Sequence, residues 1–122
     1  MNKKELTINR KHCILVALDK TIDVIMNENS PLVKEYTFEN YKLFINFLYS
    51  DCLFEISDKF NKCDIAEFED QYIYANEVPE IIKVIDKHLN KKENKKIAPY
   101  LLIFKEALLL TYKHDSYMVT CF

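Results

Sequence analysis

The chain has 122 residues, of which 49% are hydrophobic and 30% are charged, and these values are typical of one globular domain rather than a disordered chain. Its net charge of −2 gives no overall basic bias toward nucleic acids or anionic membranes. The sequence contains no glycine, which excludes glycine-rich phosphate-binding loops, disfavours two-residue hairpins and so favours an all-α fold.

The first predicted helix runs from about residue 9 to residue 27. Its apolar residues recur at spacings of one, three and four, which places them in one stripe on a helix. These residues are Ile14, Leu15, Leu18, Ile22 and Ile25. Ser30 followed by Pro31 then predicts the start of a short helical turn.

The next predicted helix starts at Thr37 and has Tyr41, Phe44 and Leu48 on one face. The segment that follows is ambiguous. Its apolar residues at 52–56 are compatible with a short strand or with a buried connection.

The segment DIAEFEDQYIYANEVPE, residues 64–80, contains six carboxylates and no lysine or arginine. Read as a helix with about 100° between residues, it places Phe68 and Tyr72 toward the core. The opposite, exposed side then carries Asp64, Glu67, Asp70 and Tyr74. Two more helices follow, one after Asn76 and one from about Pro99 to Lys113, and the tail from Ser116 is apolar enough to pack back on the body. We therefore predict a single helical domain over residues 1–122, an all-α bundle of five or six helices with a short strand near 52–56 left open.

The four cysteines lie 39, 11 and 58 residues apart and form no C-x-x-C pair, so a zinc ribbon or redox motif is disfavoured. Reduced thiols in a cytoplasmic protein are expected instead. The N-terminal sequence does not resemble a signal peptide, and the longest apolar stretch is interrupted by Lys105 and Glu106, so no membrane span is predicted.

The sequence contains few candidate metal-binding or catalytic residues. Carboxylates spaced by three in the acidic segment lack a nearby histidine, and His12 beside Cys13 would point away from it on a helix, so we predict no metal site, no cofactor and no catalytic residues. The lysines at 91–96 are interpreted as a solvated connection rather than a nucleic-acid site, because the chain has one arginine.

The acidic and aromatic segment, in a small lysine-rich chain without catalytic motifs, resembles a bacterial toxin-immunity protein of the contact-dependent growth inhibition type. That resemblance implies a cytoplasmic inhibitor, not an enzyme, that binds a cognate basic toxin, often a nuclease. The predicted partner-binding residues are Asp64, Glu67, Glu69, Asp70, Tyr74 and Glu77. A phage- or plasmid-type regulator that binds a host factor, and a small α-helical enzyme, stay open as alternatives.

Overall fold

The fold, taken from a computed structural model that describes residues 12–60 and 70–122, is mixed α/β. The prediction of an all-α bundle is therefore wrong. Within the described residues, four α-helices pack on one face of a four-stranded antiparallel sheet.

Along the described residues, two strands are followed by two helices, one strand, two helices and a last strand. The strands are β1 (Cys13–Ala17), β2 (Val33–Thr37), β3 (Asp70–Tyr74) and β4 (Tyr117–Cys121). The helices are α1 (Tyr41–Leu48), α2 (Asp51–Lys59), α3 (Val78–Leu89) and α4 (Ala98–Lys113), with 3₁₀ turns at Ala75–Glu77 and Lys92–Asn94. The strand order is β2-β1-β4-β3, and every neighbouring pair is antiparallel.

Long connections explain how a chain without glycine forms an antiparallel sheet. Residues 18–32 join β1 to β2, and two helices separate β3 from its neighbour β4. Glycine is needed in two-residue hairpins, where the backbone takes positive φ, and longer connections avoid that requirement. The lack of glycine therefore disfavours tight hairpins but not strands.

The predicted first helix is wrong throughout its described part. Residues 13–17, CILVA, form the central strand β1, and all five are buried. A short apolar run fits a strand buried on both faces as well as it fits a helix, so its spacing could not decide between them. The turn predicted at Ser30 is present as a single turn rather than a helix: Ser30 Oγ accepts a hydrogen bond from Leu32 N at 3.1 Å, Ser30 O accepts one from Val33 N at 3.1 Å, and the chain then enters β2.

The later helices are closer to prediction. Helix α1 starts at Tyr41 rather than Thr37, with Asn40 Oδ1 accepting a hydrogen bond from Leu43 N at 2.9 Å. The ambiguous residues 52–56 lie inside helix α2, which Ser50 caps, so a strand there is wrong. The two predicted helices that follow are confirmed as α3 and α4.

The two faces of the sheet have different coverings. The inner face carries Ile14, Val16 and Met118, which belong to the main hydrophobic core together with residues of all four helices. The outer face carries Leu15, Ala17 and Val119 in a smaller core, to which the 18–32 connection adds the buried Val24. Both cores depend on the alternation of side chains along the strands.

Asp115 takes the role that glycine often has at a helix end. Its φ is 48°, and the two hydrogen bonds of a Schellman motif close α4: Ser116 N to Thr111 O at 3.2 Å and Asp115 N to Tyr112 O at 3.1 Å. Ser116 Oγ then donates to Ala17 O at 2.5 Å. This turn directs the chain from α4 into β4 beside β1.

Candidate protein-binding surface

Strand β3 places two tyrosines on the outer face of the sheet. Tyr72 and Tyr74 are 41% and 50% exposed, whereas Ile73 between them is fully buried in the main core. Alternation along a strand puts residues two apart on the same face. The prediction that Tyr72 is buried is therefore wrong, because it assumed a helical period, whereas the predicted exposure of Tyr74 is confirmed.

A third tyrosine completes the group. Tyr117 of β4 lies directly opposite Tyr74 in the register of the two strands. Its ring centroid is 5.8 Å from that of Tyr72, with the planes 18° apart, and 6.3 Å from that of Tyr74. The rings of Tyr72 and Tyr74 are themselves stacked at 6.5 Å. Such spacings are typical of interacting aromatic rings.

The 18–32 connection holds Tyr117 in place. The Tyr117 hydroxyl donates a hydrogen bond to Ile22 O and accepts one from Val24 N at 3.1 Å. The central ring of the group is thus fixed at its hydroxyl as well as by stacking. A fixed aromatic group loses little conformational entropy when a partner binds to it.

Two carboxylates give this group a negative environment. Partial burial raises the pKa of Tyr72, and the charges of Asp23 and Asp70 raise it further. Asp23 is itself oriented, because its Oδ1 accepts hydrogen bonds from Ile25 N at 3.1 Å and Met26 N at 3.2 Å. We call Tyr72, Tyr74, Tyr117, Asp23 and Asp70 the tyrosine surface.

The structure separates the predicted partner-binding residues. Asp70 and Tyr74 belong to the tyrosine surface, and the region between them is a strand, so the predicted helical acidic face is wrong from Asp70 onward. Glu77 contributes to local structure, since its Oε1 accepts a hydrogen bond from Tyr74 N at 2.9 Å. Asp64, Glu67 and Glu69 lie outside the described residues.

The sequence reasoning missed Tyr117 and Asp23. The alternation of Tyr117, Val119 and Cys121 is a strand pattern that indicates which residues of β4 share a face. Asp23, by contrast, is 49 residues before Tyr72 in the chain, and no local pattern connects them. Asp23 lies near Tyr72 only because the 18–32 connection covers the outer face of the sheet.

A second polar cluster joins helices α2 and α3. Glu55 accepts a hydrogen bond from Lys87 Nζ at 2.6 Å, and its other carboxylate oxygen lies 3.0 Å from His88 Nε2. These hydrogen bonds lower the pKa of Glu55 to about 2. His88 is buried, and its Nδ1 has no hydrogen-bond partner among residues 12–60 and 70–122. The cluster fixes one helix against the other.

The geometry does not activate a cysteine in this region. Burial, followed by the charge of Glu55, raises the pKa of Cys52 to about 12, so its thiol stays protonated and is a poor nucleophile. His12 and Cys13 belong to opposite faces of the sheet: the His12 ring stacks on Phe44 at 4.4 Å, whereas Cys13 packs in the outer core. The two side chains therefore lie on different sides of the sheet.

Two further properties concern the described ranges alone. Within residues 12–60 and 70–122, no three or more His, Cys, Asp or Glu side chains cluster in a way that would hold a metal ion. The longest helix of these ranges, α4, has 16 residues, and none of their helices has the length and apolar character needed to cross a membrane.

Comparison with known proteins adds no relative: no family model, curated protein or solved structure matches the chain.

Proposed function

We propose that this protein is an immunity protein that binds a cognate basic toxin, of nuclease type, through the tyrosine surface. The observation that carries the proposal is the stacked group of three tyrosines beside Asp23 and Asp70 on the outer face of the sheet. Tyrosines are enriched at the centres of protein interfaces, and carboxylates attract a cationic partner.

The tyrosine surface has the amphipathic character that such an interface requires. Tyr72 and Tyr74 are half exposed, so each has apolar ring area that a partner would bury. The pKa of Tyr72 is raised from an ordinary value that already lies well above physiological pH, so its phenol is neutral there and can donate a hydrogen bond. The nearby carboxylates would pair with the lysines and arginines with which a nuclease holds its substrate.

The proposed mechanism is inhibition by occlusion. The immunity protein would cover the nucleic-acid-binding surface of the toxin, and its acidic groups would occupy the positions of substrate phosphates. The cytoplasmic location that the cysteine spacing predicts belongs to the same proposal. The alternative, a regulator that binds a host factor, differs in the identity of the partner rather than in the kind of surface.

The test uses the protein encoded directly upstream, where the toxin gene of an immunity pair is expected. We expect co-expression to protect cells from that protein, and we expect association to slow as salt rises from about 0.05 to 0.5 M, because salt screens exposed charges. Tyr74→Ala should weaken binding by about 2 kcal/mol, and Asp70→Lys by about 1 kcal/mol or more. Dissociation constants and association rates measured by surface plasmon resonance decide this.

The matched controls lie at the C-terminal end of α1 and in α2, in the helical layer. Tyr49 is 55% exposed, close to the 50% of Tyr74, so Tyr49→Ala removes a similar ring from a different surface. Asp58→Lys in α2 changes the net charge as Asp70→Lys does. If the two test variants bind like their controls, the tyrosine surface is not the binding site. If the upstream protein does not bind but a host protein is captured with the same sensitivity to Tyr74→Ala, the immunity function is wrong and the regulator is favoured.

A further inference from the structure

Two of the four cysteines are neighbours on the outer face of the sheet. Cys13 is the first residue of β1 and Cys121 is the last residue of β4, and the antiparallel register places them directly opposite each other. Both pack in the smaller, outer core, so their side chains lie on the same side of the sheet. The fold therefore brings together two thiols that are 108 residues apart in the chain.

The backbone hydrogen bonds define the spacing of this pair. On the β2 side, Phe38 N donates a hydrogen bond to His12 O at 2.8 Å. Successive peptide groups of a strand point to opposite sides, so the peptide groups of the next residue, Cys13, face β4. Cys13 and Cys121 thus form a hydrogen-bonded pair, whose Cα atoms lie about 5.5 Å apart in an antiparallel sheet. That separation is within the range of roughly 4.4 to 6.8 Å that a disulfide spans.

The pair is close to disulfide geometry but does not match it fully. Opposite Cβ atoms of a hydrogen-bonded pair are about 5.5 Å apart, whereas a disulfide brings them to about 3.8 Å. Closing the bond requires the ends of β1 and β4 to move toward each other, and the resulting strain makes the bond easier to reduce. A disulfide at this position is therefore expected to be reversible rather than permanent.

The two thiols differ in their access to solvent. Both are reduced in the structure. Cys13 is buried, with 6% of its surface exposed, whereas Cys121 is partly exposed. A small oxidant arriving from solvent therefore reaches Cys121 first, with Cys13 beside it. An accessible cysteine next to a second, resolving cysteine is typical of redox-sensitive pairs.

We propose that Cys13 and Cys121 form a reversible redox site, at which a peroxide converts the two thiols into a cross-strand disulfide. Hydrogen peroxide oxidises the Cys121 thiolate to a sulfenic acid, and the hydroxide that is released takes up a proton to give water. The Cys13 thiolate then attacks Cys121 Sγ, so the S–S bond forms, the S–O bond breaks and a second hydroxide leaves as water. Two thiols and one peroxide thus yield one disulfide and two water molecules.

Oxidation of the full chain followed by alkylation under denaturing conditions tests the site. With a small excess of hydrogen peroxide, we expect the mass to fall by about 2 Da through loss of two hydrogen atoms. Iodoacetamide should then modify Cys52 and Cys63 alone, and peptide mapping without reduction should find Cys13 linked to Cys121. Treatment of the folded protein with dithiothreitol should restore four thiols that can be alkylated.

Single substitutions separate the two roles. Cys13→Ser removes the resolving thiol, so Cys121 should remain a sulfenic acid that dimedone labels. Cys121→Ser should leave Cys13 reduced under the same conditions. Cys52→Ala is the matched control, because it replaces a buried cysteine of α2 in the main core, and it should form the disulfide like the parent. Circular dichroism of each variant checks that the fold is retained.

Two results would overturn the proposal. One is an oxidised parent protein in which Cys13 can still be alkylated, whether Cys121 has paired with Cys63 or remains a thiol. The other is a bond between Cys13 and Cys121 that dithiothreitol does not reduce in the folded protein, because the pair would then be a permanent structural disulfide. Both measurements use the parent chain, so they remain decisive if a variant fails to fold.

Discussion

At the scale of single residues, Glu55 is an acid whose pKa is strongly lowered by its contacts between α2 and α3. It accepts a hydrogen bond from Lys87, and its second oxygen lies against the buried ring of His88. The neutral imidazole can donate its Nε2 proton to this carboxylate, which leaves Nδ1 without a proton in the core. Glu55 thus provides a hydrogen-bond acceptor for Nε2 of His88 and fixes the contact between α2 and α3.

The shifted pKa of Glu55 makes stability depend on pH. Its value is about 2 in the folded protein against an ordinary 4.5, so folding favours the charged form. That stabilisation is complete above about pH 5 and is lost as the pH falls toward 2. Because the side chain is 33% exposed, solvent screening limits the contribution to about 1 to 2 kcal/mol.

We expect Glu55→Gln to lose this amount of stability at pH 7 and to show a smaller further loss between pH 5 and pH 2 than the parent. Urea unfolding at a series of pH values measures both effects. Asp58→Asn in the same helix changes the net charge equally and serves as the control. Equal slopes for Glu55→Gln and the parent across this pH range would contradict the assignment.

At the scale of elements, β3 determines the character of the candidate site. As a strand, residues 70–74 divide their side chains between two faces, so Ile73 enters the main core while Tyr72 and Tyr74 share the outer face. As a helix, the same residues would have buried Tyr72 and left Tyr74 among the acids. Whether residues 70–74 form a strand or a helix therefore decides whether Tyr72 and Tyr74 lie on the same face.

This assignment predicts a large difference between neighbouring substitutions. Ile73→Ala removes a fully buried side chain and should lower the free energy of unfolding by about 2 to 4 kcal/mol. Tyr72→Ala removes a ring that is 41% exposed and should cost about 1 kcal/mol, chiefly through lost ring contacts. Urea unfolding of both variants provides the comparison, and a greater loss for Tyr72→Ala would contradict the strand.

At the scale of the whole molecule, the sheet separates the tyrosine surface from the helical layer. The tyrosine surface lies on its outer face, and α4 packs on β1 and β4 from the inner face. Substitutions on the exposed side of α4 should therefore act independently of those on the tyrosine surface, as distant sites usually do.

We expect Lys105→Glu, in α4 on the opposite side of the sheet from the tyrosine surface, to leave the affinity for the toxin within about twofold of the parent. Surface plasmon resonance measures the effect. A large loss of toxin binding in this variant would indicate that binding is not confined to the tyrosine surface.

Local patterns in the sequence determined the helical layer. Helices α3 and α4 follow from apolar residues at helical spacing, with Pro79 and Pro99 in their first turns. The exposure of Tyr74 and Asp70 was also predictable, since both belong to a segment rich in acids. These features depend on interactions among residues close together in the chain.

The tertiary structure alone decided the sheet and the composition of the tyrosine surface. The run CILVA becomes a strand because β2 and β4 supply hydrogen bonds on both of its sides and side chains cover both of its faces. Those partners come from about 20 and 100 residues away, so the spacing within the run could not reveal them. Asp23 and Tyr117 join Tyr72 for the same reason: the register of β3 with β4 and the path of the 18–32 connection are long-range contacts, which become favourable only when the whole core forms.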